Sequence, residues 1–261
     1  MDIKPIIQSL EKHISNTRAE RHSALNIWMD YMIDLFDISH FYTPDGFQKA
    51  ILRKNEESHE LMNATMEWLN LSANAIENGR SEDILGTVYE ELFQSRGKAS
   101  SLGQFFTPMN ICDLMSKITF QEDSHNTRIN DCACGSGRTL VSHFMEKLRK
   151  DDNPRKCYYV GEDIDISSVK MCALNMMIHG MQGRVIHHDT LKDPIYFDLG
   201  YEINEIRYPF LTPYYSIRKI SYKKPQEVEQ REQKLIREQH AQRAIKQIIS
   251  QPDKDGQYSL F

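Results

Sequence analysis

The chain has 261 residues, 40% hydrophobic and 26% charged, with a formal net charge of −5. This is the composition of a globular protein with room for one large domain or two small ones, and it excludes a collagen-like, low-complexity or disulfide-framework chain. A net negative charge excludes a surface uniformly coated in basic residues but leaves room for a local nucleic-acid-binding face.

Taken in chain order, residues 1–96 carry apolar positions at helical spacing: Ile6, Leu10 and Ile14, then Leu25, Trp28, Met29, Met32 and Leu35. Thr43-Pro44-Asp45-Gly46 is a turn signal. A helix is predicted from Glu57 to Ile76, stopped at Gly79, and another from Ser81 through Leu92 and Phe93. The small-residue stretch 97–103 reads as a loop and 109–119 as a helix. From there the pattern alternates. Arg128–Cys132, Cys157–Gly161 and Arg184–His187 are predicted strands, and Leu140–Lys150 and Ser167–His179 are predicted helices. Such alternation implies an α/β fold with a parallel, doubly wound sheet. After about residue 216 the sequence offers a charged helix over 222–250 and no clear strand, then a flexible tail. The organisation read here is a helical region over 1–96, an α/β domain over 97–221, and a charged helix and tail over 222–261. The N-terminus lacks the apolar core of a signal peptide and no run is long enough to span a membrane, so the expected compartment is the cytoplasm. The five cysteines have no framework spacing and read as free thiols, and Cys132-x-Cys134 is too isolated for a zinc site, so no metal is expected.

Three strand ends carry ligand chemistry. Asp131-Cys132-Ala133-Cys134-Gly135-Ser136-Gly137 follows the first strand and opens a helix, an arrangement that brings backbone close to a ligand and aims amide donors at an anionic group. Asp131 is placed to receive a cationic amine. Asp163, after the second strand, can hold ribose hydroxyls, and Asp189, after the third, can accept from an adenine amine. Each acidic residue alone reads more readily as a solvated carboxylate; the constellation at three consecutive strand ends points to a nucleoside-bearing ligand.

Together with Asp83–Glu90 (DILGTVYE), Leu102–Pro108 (LGQFFTP), Asn175–Gly180 (NMMIHG) and His188–Leu191 (HDTL), in chain order, the chain resembles the methylase subunits of type I restriction-modification systems, adenine-N6 DNA methyltransferases. The resemblance covers roughly residues 80–195. It implies a Rossmann-like methyltransferase sheet, here truncated, with S-adenosyl-L-methionine (SAM) as cofactor and DNA as partner. It also implies site roles. Gln104, Phe105, Phe106, Thr107 and Pro108 would close over the methionine part of SAM. Asp131, Gly135, Ser136 and Gly137 would cradle its amino and carboxylate groups, Asp163 its ribose and Asp189 its adenine.

Two departures stand out. Cys132 replaces the family's proline in the glycine loop. More seriously, the family's Asn-Pro-Pro-aromatic tetrapeptide is absent. In the family its polar groups orient the target amine and its ring stacks on a flipped base. Thr212-Pro213-Tyr214 is the nearest catalytic candidate, a degenerate remnant of that motif or, more readily, an unrelated loop. Two functions are therefore open: a DNA adenine-N6 methyltransferase, or a non-catalytic scaffold with a SAM fold that acts through a partner. A truncated sheet would leave an open edge, so a protein partner or self-association is expected. The terminal Gln257-Tyr258-Ser259-Leu260-Phe261 is similar to the peptides with which bacterial proteins bind the sliding clamp, with Gln257, Leu260 and Phe261 as anchors. Clamp binding by a chain lacking Leu260 and Phe261 would refute that reading.

Overall fold

The computed structural model describes residues 1–38, 59–94, 106–120, 128–150, 157–192, 196–205, 215–223, 225 and 237. Gln104, Phe105, Thr212, Pro213, Tyr214, the turn at 43–46, the loop at 97–103, nearly all of 222–250 and the C-terminal tail lie outside them. Residues Met1–Ser221 make one compact unit and Tyr222–Phe261 a second.

Four helices form the N-terminal part: α1 (Lys4–Thr17), α2 (Arg21–Phe36), α3 (His59–Glu77) and α4 (Ile84–Gln94). Their apolar stripes fold inward: Ile6 and Leu10 of α1, Leu25, Trp28 and Met32 of α2, Leu61 and Trp68 of α3 are all buried. The Trp28 indole N–H is not left unpaired; it donates to the Thr65 hydroxyl at 3.0 Å, which donates to the Leu61 carbonyl at 2.8 Å. Gly79 ends α3 with a left-handed backbone, φ +64°. Its own N–H bonds the Ile76 carbonyl and the Arg80 N–H bonds the Ala75 carbonyl, which satisfies two of the last carbonyls of the helix. The predicted start of α4 at Ser81 moves to Asp83. The Asp83 carboxylate accepts from the Gly86 N–H at 2.7 Å, the reach of an N-cap to the third helical residue, while the Ser81 hydroxyl instead accepts from Arg149.

The sheet has five strands in the order β1-β2-β3-β4-β5. These are β1 (Arg128–Asp131), β2 (Tyr158–Asp163), β3 (Gly183–His187), β4 (Phe197–Ile203) and β5 (Ile217–Tyr222). Helix α5 (Met109–Thr119) precedes β1, α6 (Arg138–Arg149) joins β1 to β2, and α7 (Ile166–Ile178) joins β2 to β3. The first three strands run parallel, as expected, but β4 returns antiparallel to β3. Thus the sheet is mixed, and β4 and β5 are strands where none was expected. Both have a local reason. In β4, Phe197, Leu199, Tyr201 and Ile203 alternate with Asp198, Gly200 and Glu202, a period of two. In β5, Arg218 pairs with Glu202 and Lys219 is exposed, the charged dressing of an outer strand.

One face of the sheet is apolar: Tyr159, Val185, Tyr201 and Ile203 are buried in the core shared with the N-terminal helices, and α7 lies against β2, β3 and β4. The other face presents Arg128, Asn130, Arg184 and Asp198 to solvent. Helix α2 is fastened to α7 by Asp30 to Lys170 at 2.8 Å and by Asn26 to the Ser167 hydroxyl at 3.1 Å. Among the described residues β1 has β2 as its only neighbour. Helix α5 packs on α6 through buried Cys112 and Ser116 and leaves Ile111, Leu114, Met115 and Ile118 between 42% and 74% exposed. These four residues recur at i, i+3, i+4 and i+7, an apolar stripe without a cover among the described residues. No described helix is long and apolar enough to cross a membrane.

Candidate functional site

The site is built on the carboxyl ends of β1, β2 and β3, where ligands bind in sheets of this kind. The loop after β1 turns sharply because two of its residues are glycines with left-handed backbones: Gly135 at φ +54° and Gly137 at φ +87°. A side chain at either position is strained. A Cβ on Gly135 would stand 3.1 Å from the Phe106 ring, and one on Gly137 would stand 2.8 Å from the Cys172 sulfur. Gly137 caps α6 without a side-chain hydrogen bond, so the start of that helix is left as an electropositive end facing the loop.

Asp131 shapes the loop from its base. Its carboxylate accepts from the Ala133 N–H at 3.1 Å and from the Thr139 hydroxyl. Asp163 reaches across from β2: one carboxylate oxygen accepts from the Gly135 N–H at 2.8 Å, the other from the Asp165 N–H at 2.9 Å. The Asp163 carbonyl in turn accepts from the His188 N–H at 3.1 Å, which ties the loop after β3 to the same edge. Asp189 is next in the chain. Hydrogen bonds from the Lys192 ammonium at 3.0 Å and the Leu191 N–H at 3.1 Å hold its carboxyl below the usual carboxylate range. A continuous line of hydrogen bonds therefore joins the ends of β1, β2 and β3.

Above the loop lies an open hollow of about 310 Å³, counting the solvent in its mouth. Its wall is Phe106 and Thr107; its floor is Asp131 and Ala133 through Ser136, with Arg138 and Thr139 at the side. Of the residues singled out in the sequence, Phe106, Thr107, Asp131, Gly135 and Ser136 meet in this hollow. Gly137 stands behind it as the cap of α6, Pro108 caps α5, Asp163 is one hydrogen bond from Gly135, and Asp189 lies further along the same edge. Ile164 and Leu191, 67% and 95% exposed, flank Asp163 and Asp189 with apolar surface open to solvent.

The sequence reading missed a buried polar knot beneath the hollow. Asp83, 2% exposed, accepts from the Ser136 hydroxyl, from Arg138 Nε at 2.7 Å and from the Asn175 amide at 2.7 Å, besides the Gly86 N–H. The Asn175 amide also donates to the Ser136 carbonyl at 2.9 Å. Arg138 forks onto both carboxylate oxygens of Glu90, at 3.1 and 3.0 Å, and donates to the Thr107 carbonyl at 3.3 Å. Burial by itself would weaken the proton's hold on this guanidinium, but Asp83 and Glu90 outweigh it and raise its pKa, so Arg138 stays charged. One signal was available: a cation at the first residue of a helix opposes the helix dipole and calls for a carboxylate nearby. Beside the loop, the Cys134 thiol is pushed up by its hydrogen bond to Cys172 and by burial, which makes it inert rather than nucleophilic. Among the described residues no group of three or more His, Cys, Asp or Glu side chains could hold a metal ion.

A family model described as N-6 DNA Methylase matches residues 80–256 of the chain. The chain belongs to the N-6 DNA methylase family. It is 31% identical over 147 residues to the type I restriction enzyme MpnII methylase subunit of Mycoplasma pneumoniae, a match covering 53% of this chain and 25% of the relative. It is 29% identical over 138 residues to the MjaIX methylase subunit of Methanocaldococcus jannaschii, covering 50% and 23%. Among solved structures it is similar to the methyltransferase subunit of a type I restriction-modification system from Streptococcus thermophilus, at 28% identity and a TM-score of 0.32, covering 45% of this chain and 27% of that one. The chain thus spans about a quarter of the length of these methylase relatives. The N-6 methylase match begins at Arg80, so it takes in the Asp83 knot as well as the glycine loop.

Proposed function

We propose that the chain binds SAM in the hollow between the Phe106–Thr107 wall and the Gly135–Gly137 loop, and that it is the cofactor-binding part of an adenine-N6 DNA methylase acting in the cytoplasm. The observation that carries this reading is the hydrogen-bonded line from Asp131 and Gly135 through Asp163 to His188, at the carboxyl ends of three consecutive parallel strands. The residues fit the group. Gly135 presents backbone, not side chain, to the hollow, and carboxylates stand where an amine and ribose hydroxyls need acceptors. SAM, when bound, supplies an electrophilic methyl group on a sulfonium.

In this reading Asp131 takes the ligand's amine, and the loop Gly135–Gly137 with the start of α6 takes its carboxylate. Asp163 accepts from the ribose and Asp189 from the adenine amine. Thr107 and Pro108, with Gln104, Phe105 and Phe106, close over the methionine end and exclude water. The contribution of these residues is positioning in a polar, water-poor site.

One observation favours the second reading, a chain that holds SAM without transferring its methyl group unaided. Thr212-Pro213-Tyr214 falls between Asn204 and Ser216, and these two are bonded to each other, N–H to carbonyl at 2.9 Å and N–H to side chain at 2.9 Å. Ile203, beside Asn204, pairs with Gly183 at the amino end of β3. The described residues Asn204 and Ser216 therefore sit at the end of the sheet opposite the hollow, and in this second reading the groups that would orient a target base come from elsewhere. A protein partner on the open edge of β1 and the apolar stripe of α5 would provide them. A solution mass above that of the 30.5 kDa monomer, or a stable complex with a co-expressed subunit, is expected; a lone, well-behaved monomer under every pairing would contradict it.

The functional test is transfer of labelled methyl from SAM to adenine-containing DNA, by the chain alone and with its partner. Label at adenine N6 supports the methylase reading. Cofactor binding with no label under any pairing leaves the scaffold reading. The absence of cofactor binding removes both.

A further inference from the structure

Arg138 ties two other stretches of chain, Asp83–Glu90 and Phe106–Thr107, to the start of its own helix. Its Nε and both Nη atoms engage Asp83, just before α4, and Glu90 within α4. Its Nη1 also holds the Thr107 carbonyl, and its guanidinium lies 5.1 Å from the centre of the Phe106 ring. Arg138 itself opens α6, directly after the glycine loop. Phe106 is in addition the residue that would meet a Cβ on Gly135, so the position of this ring sets the gap across the hollow.

We propose that Arg138, Asp83 and Glu90 form a latch that holds the Phe106–Thr107 wall at a fixed gap from the glycine loop, which makes them positioning residues for SAM; the inference rests on the cofactor reading above. The two carboxylates have different shares of the work. Asp83 is shut away, with a side chain 0% exposed, and fixes the arginine to the body of the protein. Glu90 is 27% exposed and grips the distal fork, so it is the arm that water can compete for and that sets how firmly the wall is held. Because the guanidinium is committed to two carboxylates, its charge is spent inside the protein. The ligand's own carboxylate is left to the electropositive start of α6, since the Gly135 and Gly137 N–H groups are bonded to Asp163 and to the Cys134 carbonyl. The planar fork is what lets one side chain bond Asp83, Glu90 and Thr107 together; a lysine ammonium at the same place cannot span all three.

The test is calorimetric titration of the full chain with SAM, with thermal melts alongside. Glu90→Gln is expected to weaken affinity about tenfold while moving the melting temperature little, since the lost contact is a part-exposed charge-assisted pair. Arg138→Lys should weaken binding by at least as much, and adding Glu90→Gln to it should change affinity no further, because both act through one contact. Wild-type affinity in Glu90→Gln, with or without a lower melting temperature, would overturn the latch and leave the cofactor reading standing. Failure of the unmodified chain to bind SAM would overturn both.

Discussion

Replacing Asp83 by alanine should destabilise the chain by about 3–5 kcal/mol, the loss expected when one partner of a buried ion pair is removed. The carboxylate serves Arg138, Ser136, Asn175 and the Gly86 N–H at once; without it a buried guanidinium loses one of its two carboxylates, and Ser136, Asn175 and Gly86 each lose an acceptor. For a unit of this size that corresponds to a fall in melting temperature of roughly 10 °C. Asparagine should fail almost as badly although it matches in shape, because it puts an amide donor among groups that all donate. Ser136→Ala removes a single hydrogen bond and should lower stability by only about 1 kcal/mol. Melting curves of the three variants check the order. An Asp83→Asn protein as stable as wild type would show that the knot is held by packing rather than by charge.

Gly137→Ala should abolish tight cofactor binding. The residue adopts φ +87°, where an L side chain is strained by about 1–3 kcal/mol, and its new Cβ would stand 2.8 Å from the Cys172 sulfur and 3.4 Å from the Cys172 Cα. Relief requires the loop to move away from α7, and that movement opens the turn that floors the hollow. Affinity for SAM should drop more than about tenfold, with a modest loss of stability. Calorimetry and a thermal melt on the same sample separate the two effects. Unchanged affinity would mean that the loop does not contact the ligand. Gly79 serves as the control: it also has a positive φ, but a Cβ there meets nothing within 4 Å, so Gly79→Ala should cost stability alone.

What could be read from the sequence divides along local and non-local lines. The glycine loop was legible because strand, turn and helix are contiguous and glycine has a clear conformational reason to be there. Helix α5 was legible to the residue because Pro108 fixes its start. The pair β4 and β5 was missed for opposite reasons. In β4 the alternation is present, but Asp198, Gly200 and Glu202 dilute its strand propensity; in β5, Arg218 and Lys219 made an outer strand look like solvated helix. The Asp83 knot could not be read locally at all. Its partners lie 53, 55 and 92 residues away, and only folding the helical region onto α6 and α7 brings them together. The residues that shape the hollow were therefore visible, while those that hold its wall in place were not.

The central claim is that the ends of β1, β2 and β3 and the Phe106–Thr107 segment enclose a single SAM site. Isothermal titration of the purified chain with SAM addresses it without any need for catalysis or a partner. The account predicts saturable, one-to-one binding that raises the melting temperature and is lost in Gly137→Ala. No heat and no thermal shift at saturating SAM, from a chain that melts cooperatively, would contradict it.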